Sequence, residues 1–187
     1  TSGGVVSGSY ESMTSDGTML HFDRWSPPGG ALFKEPLLLI HGFMESTRMF
    51  DLEPEHSLGR TLAAAGFDVW AVDLRGYGQS ETPPITDLFG WTWSCDDHVH
   101  KDVPAAIRHV LASTGATQVF LGGHSLGGTI AFAYLETEDA SRVRGVVNIA
   151  GPALFDPSGF LGLMTAITQI SGLTVNPLMV FDTSIPF

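Results

Sequence analysis

Apolar and polar positions follow three different periods along this chain, and each predicts a different element. Ser9 to Met13 and Met19 to Trp25 alternate around Ser15-Asp16-Gly17, which predicts two strands joined by a turn. From Pro36 the alternation stops. Leu37-Leu38-Leu39-Ile40 is a continuous apolar run ending at His41-Gly42, as a strand covered on both faces requires. Leu58, Leu62 and Ala65 fall on one face of a short helix closed by Gly66, and Phe67 to Val72 reads as the next strand. Ser94 and Asp97 have capping-box spacing, after which Val99, Val103, Ile107, Val110 and Leu111 recur at helical spacing up to Gly115. Pro104 interrupts that pattern and predicts a kink or a later helix start. Gln118 to Leu121 reads as a third central strand, Leu126 to Leu135 as a helix and Val143 to Ile149 as a fourth strand.

Strand and helix therefore alternate from residue 36 to 150, an order that predicts an α/β fold with right-handed crossovers. The sheet should be mostly parallel and doubly wound, with helices on both faces. Residues 151–187 break the rhythm: Gly, Pro, Phe, Leu, Met and Ile dominate, and Asp156 and Asp182 are the only charges. That segment reads either as a buried helix with its connections or as the start of an apolar cap over a site for a greasy substrate. The chain is divided accordingly into a core portion, 1–150, and a cap portion, 151–187. No fixed-period repeat and no low-complexity tract occurs.

Composition sharpens this picture. Hydrophobic residues make up 43% of the 187 residues and charged ones 16%, against an average near 25%, which indicates a packed core rather than disorder. Twenty Asp and Glu against nine Lys and Arg give a net charge of -11, so phosphate backbones and anionic lipid surfaces would be repelled and nucleic-acid binding is not expected. Cys95 is the single cysteine and cannot form an intramolecular disulfide, so cysteine usage leaves the compartment undetermined. No run approaches 18 apolar residues, so no membrane-spanning helix is expected. The chain opens at Thr1 without a basic region ahead of an apolar one, as it would if a signal peptide were removed or never present.

The chemistry centres on Gly123-His124-Ser125-Leu126-Gly127, a G-x-S-x-G motif placed directly after a strand and directly before a helix. Such a turn is so tight that side chains two before and two after the serine would collide, hence glycine at 123 and 127. The serine hydroxyl stands at the apex with a helix N-terminus behind it, where developing negative charge is favoured. His41-Gly42-Phe43 follows the first buried strand, and Asp73-x-Arg75-Gly76-x-Gly78-x-Ser80 follows the second.

Taken with the order of elements between them, these three segments resemble the alpha/beta-hydrolase fold superfamily, in its serine esterase and lipase-like branch, over roughly residues 10 to 150. The resemblance implies that Ser125 is the nucleophile and that the backbone N–H groups of Phe43 and Leu126 form the oxyanion hole. His41 is then a loop-shaping residue rather than a base, Asp73 and Arg75 are loop-fixing partners, and His124 points away from the serine hydroxyl. An aspartate nucleophile, as in the epoxide hydrolases and haloalkane dehalogenases of the superfamily, is excluded by Ser125.

A serine hydroxyl needs a general base, usually a histidine oriented by a carboxylate, and in this superfamily the order along the chain is Ser, acid, His. The seven histidines are 21, 41, 56, 98, 100, 109 and 124, and none follows Ser125. Asp156 or Asp182 could serve as the acid. The expectation is that this is the N-terminal portion of an alpha/beta hydrolase, broken in its cap region, with the C-terminal strands, the acid and the histidine carried by a second polypeptide. The fourth strand would otherwise present an unpaired apolar edge. A rival reading takes His98 or His100 as an unusual base.

The activity so implied is hydrolysis of a carboxylic ester with a hydrophobic acyl group through an acyl-enzyme on Ser125. Acyl transfer and thioester cleavage would use the same apparatus, and a non-catalytic binding protein of this fold is the alternative from another class. No cofactor or metal is implied: no Cys/His cluster has ligand spacing, and Gly76-x-Gly78 is too short for a dinucleotide fingerprint.

Overall fold

A computed structural model of the chain describes residues 4–83 and 92–152. The alternating N-terminal segment forms an antiparallel pair, β1 (Val6–Met13) and β2 (Met19–Ser26), in register from Val6 opposite Ser26 to Met13 opposite Met19. The apolar runs form β3 (Leu37–Ile40) and β4 (Val69–Val72), and β5 (Val119–His124) and β6 (Val143–Ile149) follow. All six lie in one sheet of order β1-β2-β4-β3-β5-β6, parallel from β4 to β6 and antiparallel at β1-β2 and β2-β4. The mostly parallel alpha/beta arrangement is thus the one the pattern predicts.

The continuous apolar runs are explained by burial on both faces. Leu38, Ile40, Trp70 and Val72 point into one core with Ile107, Val110, Ile130 and Tyr134 of helices α3 (Val103–Thr114) and α4 (Leu126–Thr137). Leu37, Leu39, Val69 and Ala71 point the other way, against Ala63 of α1 (Leu58–Ala64), Trp25 and Phe50. Complete burial stabilises each large apolar side chain by about 1.5–3 kcal/mol, so the four-residue strands are held by packing rather than by length.

Two helices differ from their sequence pattern. The buried positions of α1 are Gly59 and Ala63, while Leu58 is 39% exposed, so the helix is rotated from the face that Leu58, Leu62 and Ala65 suggest. The reason is Trp25: its indole occupies the space a Cβ at residue 59 would need. The helix before α3 starts where the capping box predicts, with the Ser94 N–H donating to the Asp97 carboxylate at 2.7 Å and α2 spanning Cys95–Asp97. It then widens into a π-helical turn over His98–Asp102, closed by the Val103 N–H donating to the His98 carbonyl. Pro104 sits directly after this turn, in the first turn of α3, and the wider turn accommodates a ring that would clash with a carbonyl four residues back.

The segment 151–187 expected to form a cap lies, from residue 153, outside the described residues.

Candidate active site

Ser125 occupies the turn between β5 and α4 with φ 50°, ψ −116°, a left-handed backbone conformation for a residue with a side chain. Such a conformation costs on the order of 1–3 kcal/mol and persists only where its surroundings enforce it. Here the Ser125 N–H donates to the Ile149 carbonyl of β6 at 2.9 Å, and its carbonyl accepts from the N–H groups of Gly128 (3.0 Å) and Thr129 (3.3 Å). The flanking glycines are required by close backbone approach. A Cβ at 123 would strike the backbone of Gly127 and Gly128, as the motif predicts. At 127 it would strike the carbonyl oxygens of Ile40 and His41, so that glycine is needed against the end of β3 as well.

The loop after β3 lies beside this turn. A Cβ built on Gly42 would sit 3.1 Å from the Ser125 Cβ, so the two backbones face each other with no side chain between. The Gly42 N–H is taken up by the Glu45 carboxylate at 2.7 Å, whereas the N–H of Phe43 has no partner among the described residues. Leu126 begins α4, where the first N–H groups of a helix have no carbonyl to bond. Phe43 and Leu126 are both half-buried, their side chains packed against the edge of the main core.

His41 is fully buried and both ring nitrogens are engaged: Nε2 accepts from the Leu74 N–H at 3.1 Å, so Nδ1 carries the proton and donates to the Gly42 carbonyl at 2.8 Å. Burial pushes its pKa down, keeping the ring neutral. It joins β3 to the loop after β4 and has no nitrogen left to act as a base.

That second loop contains the Asp73-x-Arg75-Gly76-x-Gly78-x-Ser80 segment, and its side chains bond inward. Asp73 accepts from the N–H groups of Thr47 (2.6 Å) and Gln79 (2.8 Å), and the Ser80 hydroxyl donates to the Asp73 carbonyl while accepting from the His21 N–H at 2.8 Å. Gly76 (φ 80°) and Gly78 (φ 54°) have positive φ, and a Cβ there would enter the Trp93 ring and the Asp73 carboxylate. Arg75 bonds Asp102 through Nε (2.8 Å) and Asp16 through both terminal nitrogens (2.9 and 3.0 Å). The bonds from Arg75 hold the Asp16 carboxyl far below the usual carboxylate range.

His98 is wholly buried with Nδ1 2.8 Å from the Asp102 carboxylate, and His100 pairs with Glu138 at the surface. In both rings only Nδ1 is bonded to a carboxylate, and His98 Nε2 is buried without a hydrogen-bond partner among the described residues. Burial pushes the Cys95 thiol up to about 12, so it is not a nucleophile near neutral pH. Among the described residues no group of His, Cys, Asp and Glu could hold a metal ion, and no helix is long and apolar enough to cross a membrane. A polar cavity lined by Ser7, Asp23, Arg48, Asp51 and Arg60, and by Thr47, Asp73 and Gln79 of the loops just described, does not include Ser125 in its wall.

Two residues of the site carry no motif of their own. Glu45 bonds Gly42 and also His124 Nδ1 at 2.9 Å; its spacing three after Gly42 repeats that of a capping box, which is the one signal that could have marked it. Asn148 clasps Gly151 through both its N–H (2.9 Å) and its carbonyl (2.7 Å), bracing the strand end that holds Ser125. Nothing local in the sequence distinguishes it.

A parallel sheet with a left-handed serine between strand and helix, and a glycine loop facing it, defines an alpha/beta protein built around a strand-turn-serine-helix site. The chain belongs to the alpha/beta hydrolase fold family, whose model matches residues 35–165. It is 35% identical over 143 residues to Lipase member M of Mus musculus, covering 72% of this chain and 34% of that protein. It is also 35% identical over 159 residues to Triacylglycerol lipase 1 of Arabidopsis thaliana, covering 82% and 39%. The chain thus spans between a third and two-fifths of the length of these curated relatives. Among solved structures it matches esterase RhEst1 from Rhodococcus sp. ECU1013 with a TM-score of 0.55 and 28% identity, over 80% of this chain and 48% of that one.

Proposed function

We propose that this chain supplies the nucleophile and the oxyanion hole of a serine hydrolase acting on carboxylic esters with a hydrophobic acyl group. The observation that carries the reading is Ser125 held at φ 50° on the turn before α4, with the Gly42 backbone against its Cβ. The Ser125 hydroxyl attacks the acyl carbonyl, and the Phe43 and Leu126 N–H groups receive the charge that develops on oxygen. The alcohol departs, and water releases the acid from the acyl-serine. Relatives named as lipases and an esterase support an ester substrate, and the apolar composition of residues 151–187 supports a greasy acyl chain. The N-terminal core portion, 1–150, carries this machinery, and 151–187 begins the cap.

Both ring nitrogens of His41 are engaged and no histidine follows Ser125 in this sequence, so in this reading the general base and its orienting acid come from polypeptide outside it, either its continuation or a second chain. The test is labelling with a fluorophosphonate probe, in the presence of every co-purifying chain, combined with intact mass. Modification of Ser125 that Ser125→Ala abolishes, together with hydrolysis of medium-chain p-nitrophenyl esters, is the expected result. Absence of labelling would make this a binding protein of the same fold. A single 20 kDa species with full esterase activity would sink the external base.

A further inference from the structure

We infer that Glu45 and His124 form a latch that positions the oxyanion hole against the nucleophile, an inference that rests on the hydrolase reading above. Glu45 stands at the end of the loop that carries Phe43, and His124 is the residue immediately before Ser125. One carboxylate oxygen, Oε2, receives the Gly42 N–H at 2.7 Å and meets His124 Nδ1 at 2.9 Å. That single atom therefore ties the loop after β3 to the end of β5. The two side chains are 31% and 30% exposed, so the pair sits at the rim of the site.

The geometry has three consequences. The bond fixes the plane of the peptide ahead of Gly42, and the His41 Nδ1–H bond to the Gly42 carbonyl holds the next peptide, the one that bears the Phe43 N–H, so the two bonds brace Gly42 on either side. The Glu45 oxygen also lies 2.5 Å from where a Cβ at residue 42 would stand, so glycine at 42 makes room for the carboxylate as well as for Ser125. The second residue of the serine motif, whose side chain the ester chemistry does not touch, thereby anchors the loop's carboxylate to the turn. Glu45 and His124 are positioning residues, since both act on the Phe43 amide through the backbone rather than on substrate.

Complete loss of one oxyanion donor lowers kcat by about 10²–10³-fold, so releasing the loop that orients the donor should cost less, about 10–100-fold. The experiment is a double-mutant cycle of Glu45→Ala and His124→Ala in the complete protein with any co-purifying chain. Its readouts are kcat and KM on a p-nitrophenyl ester, melting temperature, and deuterium exchange in the segment 41–46. The latch requires kcat to fall in both single variants with KM little changed and exchange in 41–46 to rise. The double variant should be no worse than Glu45→Ala, because both substitutions break one connection. Glu45→Gln, which keeps an oxygen for the Gly42 N–H, should recover part of kcat.

Additive losses in the cycle, or a fall in melting temperature with kcat unchanged, would overturn the latch even while Ser125 takes up the probe. Absence of probe on wild-type Ser125 would instead overturn the hydrolase reading, and with it the kinetic role assigned to the pair. The exchange measurement alone would then decide whether the loop is tied.

Discussion

Asp102 offers the sharpest stability test because it is wholly buried and satisfies three donors at once. It accepts from Arg75 Nε at 2.8 Å, the Arg75 N–H at 3.1 Å and His98 Nδ1 at 2.8 Å, beside an Arg75 side chain only 6% exposed. Asp102→Ala strips one carboxylate from a buried guanidinium and leaves a backbone N–H and a ring N–H without acceptors. Removing one partner of a buried pair costs about 3–5 kcal/mol, and each orphaned donor about 1–3, contributions that overlap and do not sum. Arg75 keeps its two bonds to Asp16, which places the expected loss near the middle of that range, about 4 kcal/mol. Asp102→Asn retains one oxygen and should lose about half as much. Asp16→Ala removes a carboxylate that is 32% exposed, and water can replace it, so about 1 kcal/mol or less is expected. Urea unfolding followed by tryptophan fluorescence reads these directly: with a slope of about 2 kcal/mol per molar, Asp102→Ala shifts the midpoint down by about 2 M. An Asp102→Ala shift no larger than that of Asp16→Ala would refute the argument that burial, rather than bond count, sets the cost.

Gly127→Ala should reduce the melting temperature far more than Gly29→Ala: the first drives a Cβ into the carbonyl oxygens of Ile40 and His41, whereas nothing lies within 4 Å of the second. Overpacking of that kind costs about 1–3 kcal/mol or more, and thermal melts of the two variants check it. His109 packs on the rings of Phe22 and Trp70, and burial pushes its pKa down. The unfolded chain binds a proton there below about pH 6.5 that the folded state resists, so stability falls as pH drops, by at most about 1.4 kcal/mol per pH unit. His109→Leu should flatten the decline between pH 7.5 and 5.5 in urea titrations, and an unchanged slope would rule His109 out as its source.

The elements legible in the sequence were those whose cause is local. β3 and β4 announce themselves because burial on both faces demands unbroken apolar runs, and the Ser94–Asp97 box marks a helix start through bonds that span three residues. The setting of Ser125 was legible for the same reason: strand, turn and helix are contiguous. What stayed hidden depends on distant partners. The face of α1 is set by Trp25, more than thirty residues away, and the π-turn before Pro104 coincides with a His98–Asp102 bond that no helical periodicity encodes. The tie between Glu45 and His124 stays hidden because it forms only when separate strands come together. Resemblance alone gives His41 to the loop rather than to proton transfer, and its two occupied nitrogens supply the physical ground.

At Gly123 and Gly127, main chain touches main chain with no side chain in between. Such contacts have no adjustable part: a substitution there can abolish the arrangement but cannot retune it. Descendants of this sequence can therefore inherit the turn only whole, while exposed neighbouring positions such as Met44, which is 79% exposed, left-handed at φ 58° and one residue beyond Phe43, are free to change. The part of the molecule that gives Ser125 its position is also the part that admits no gradual change.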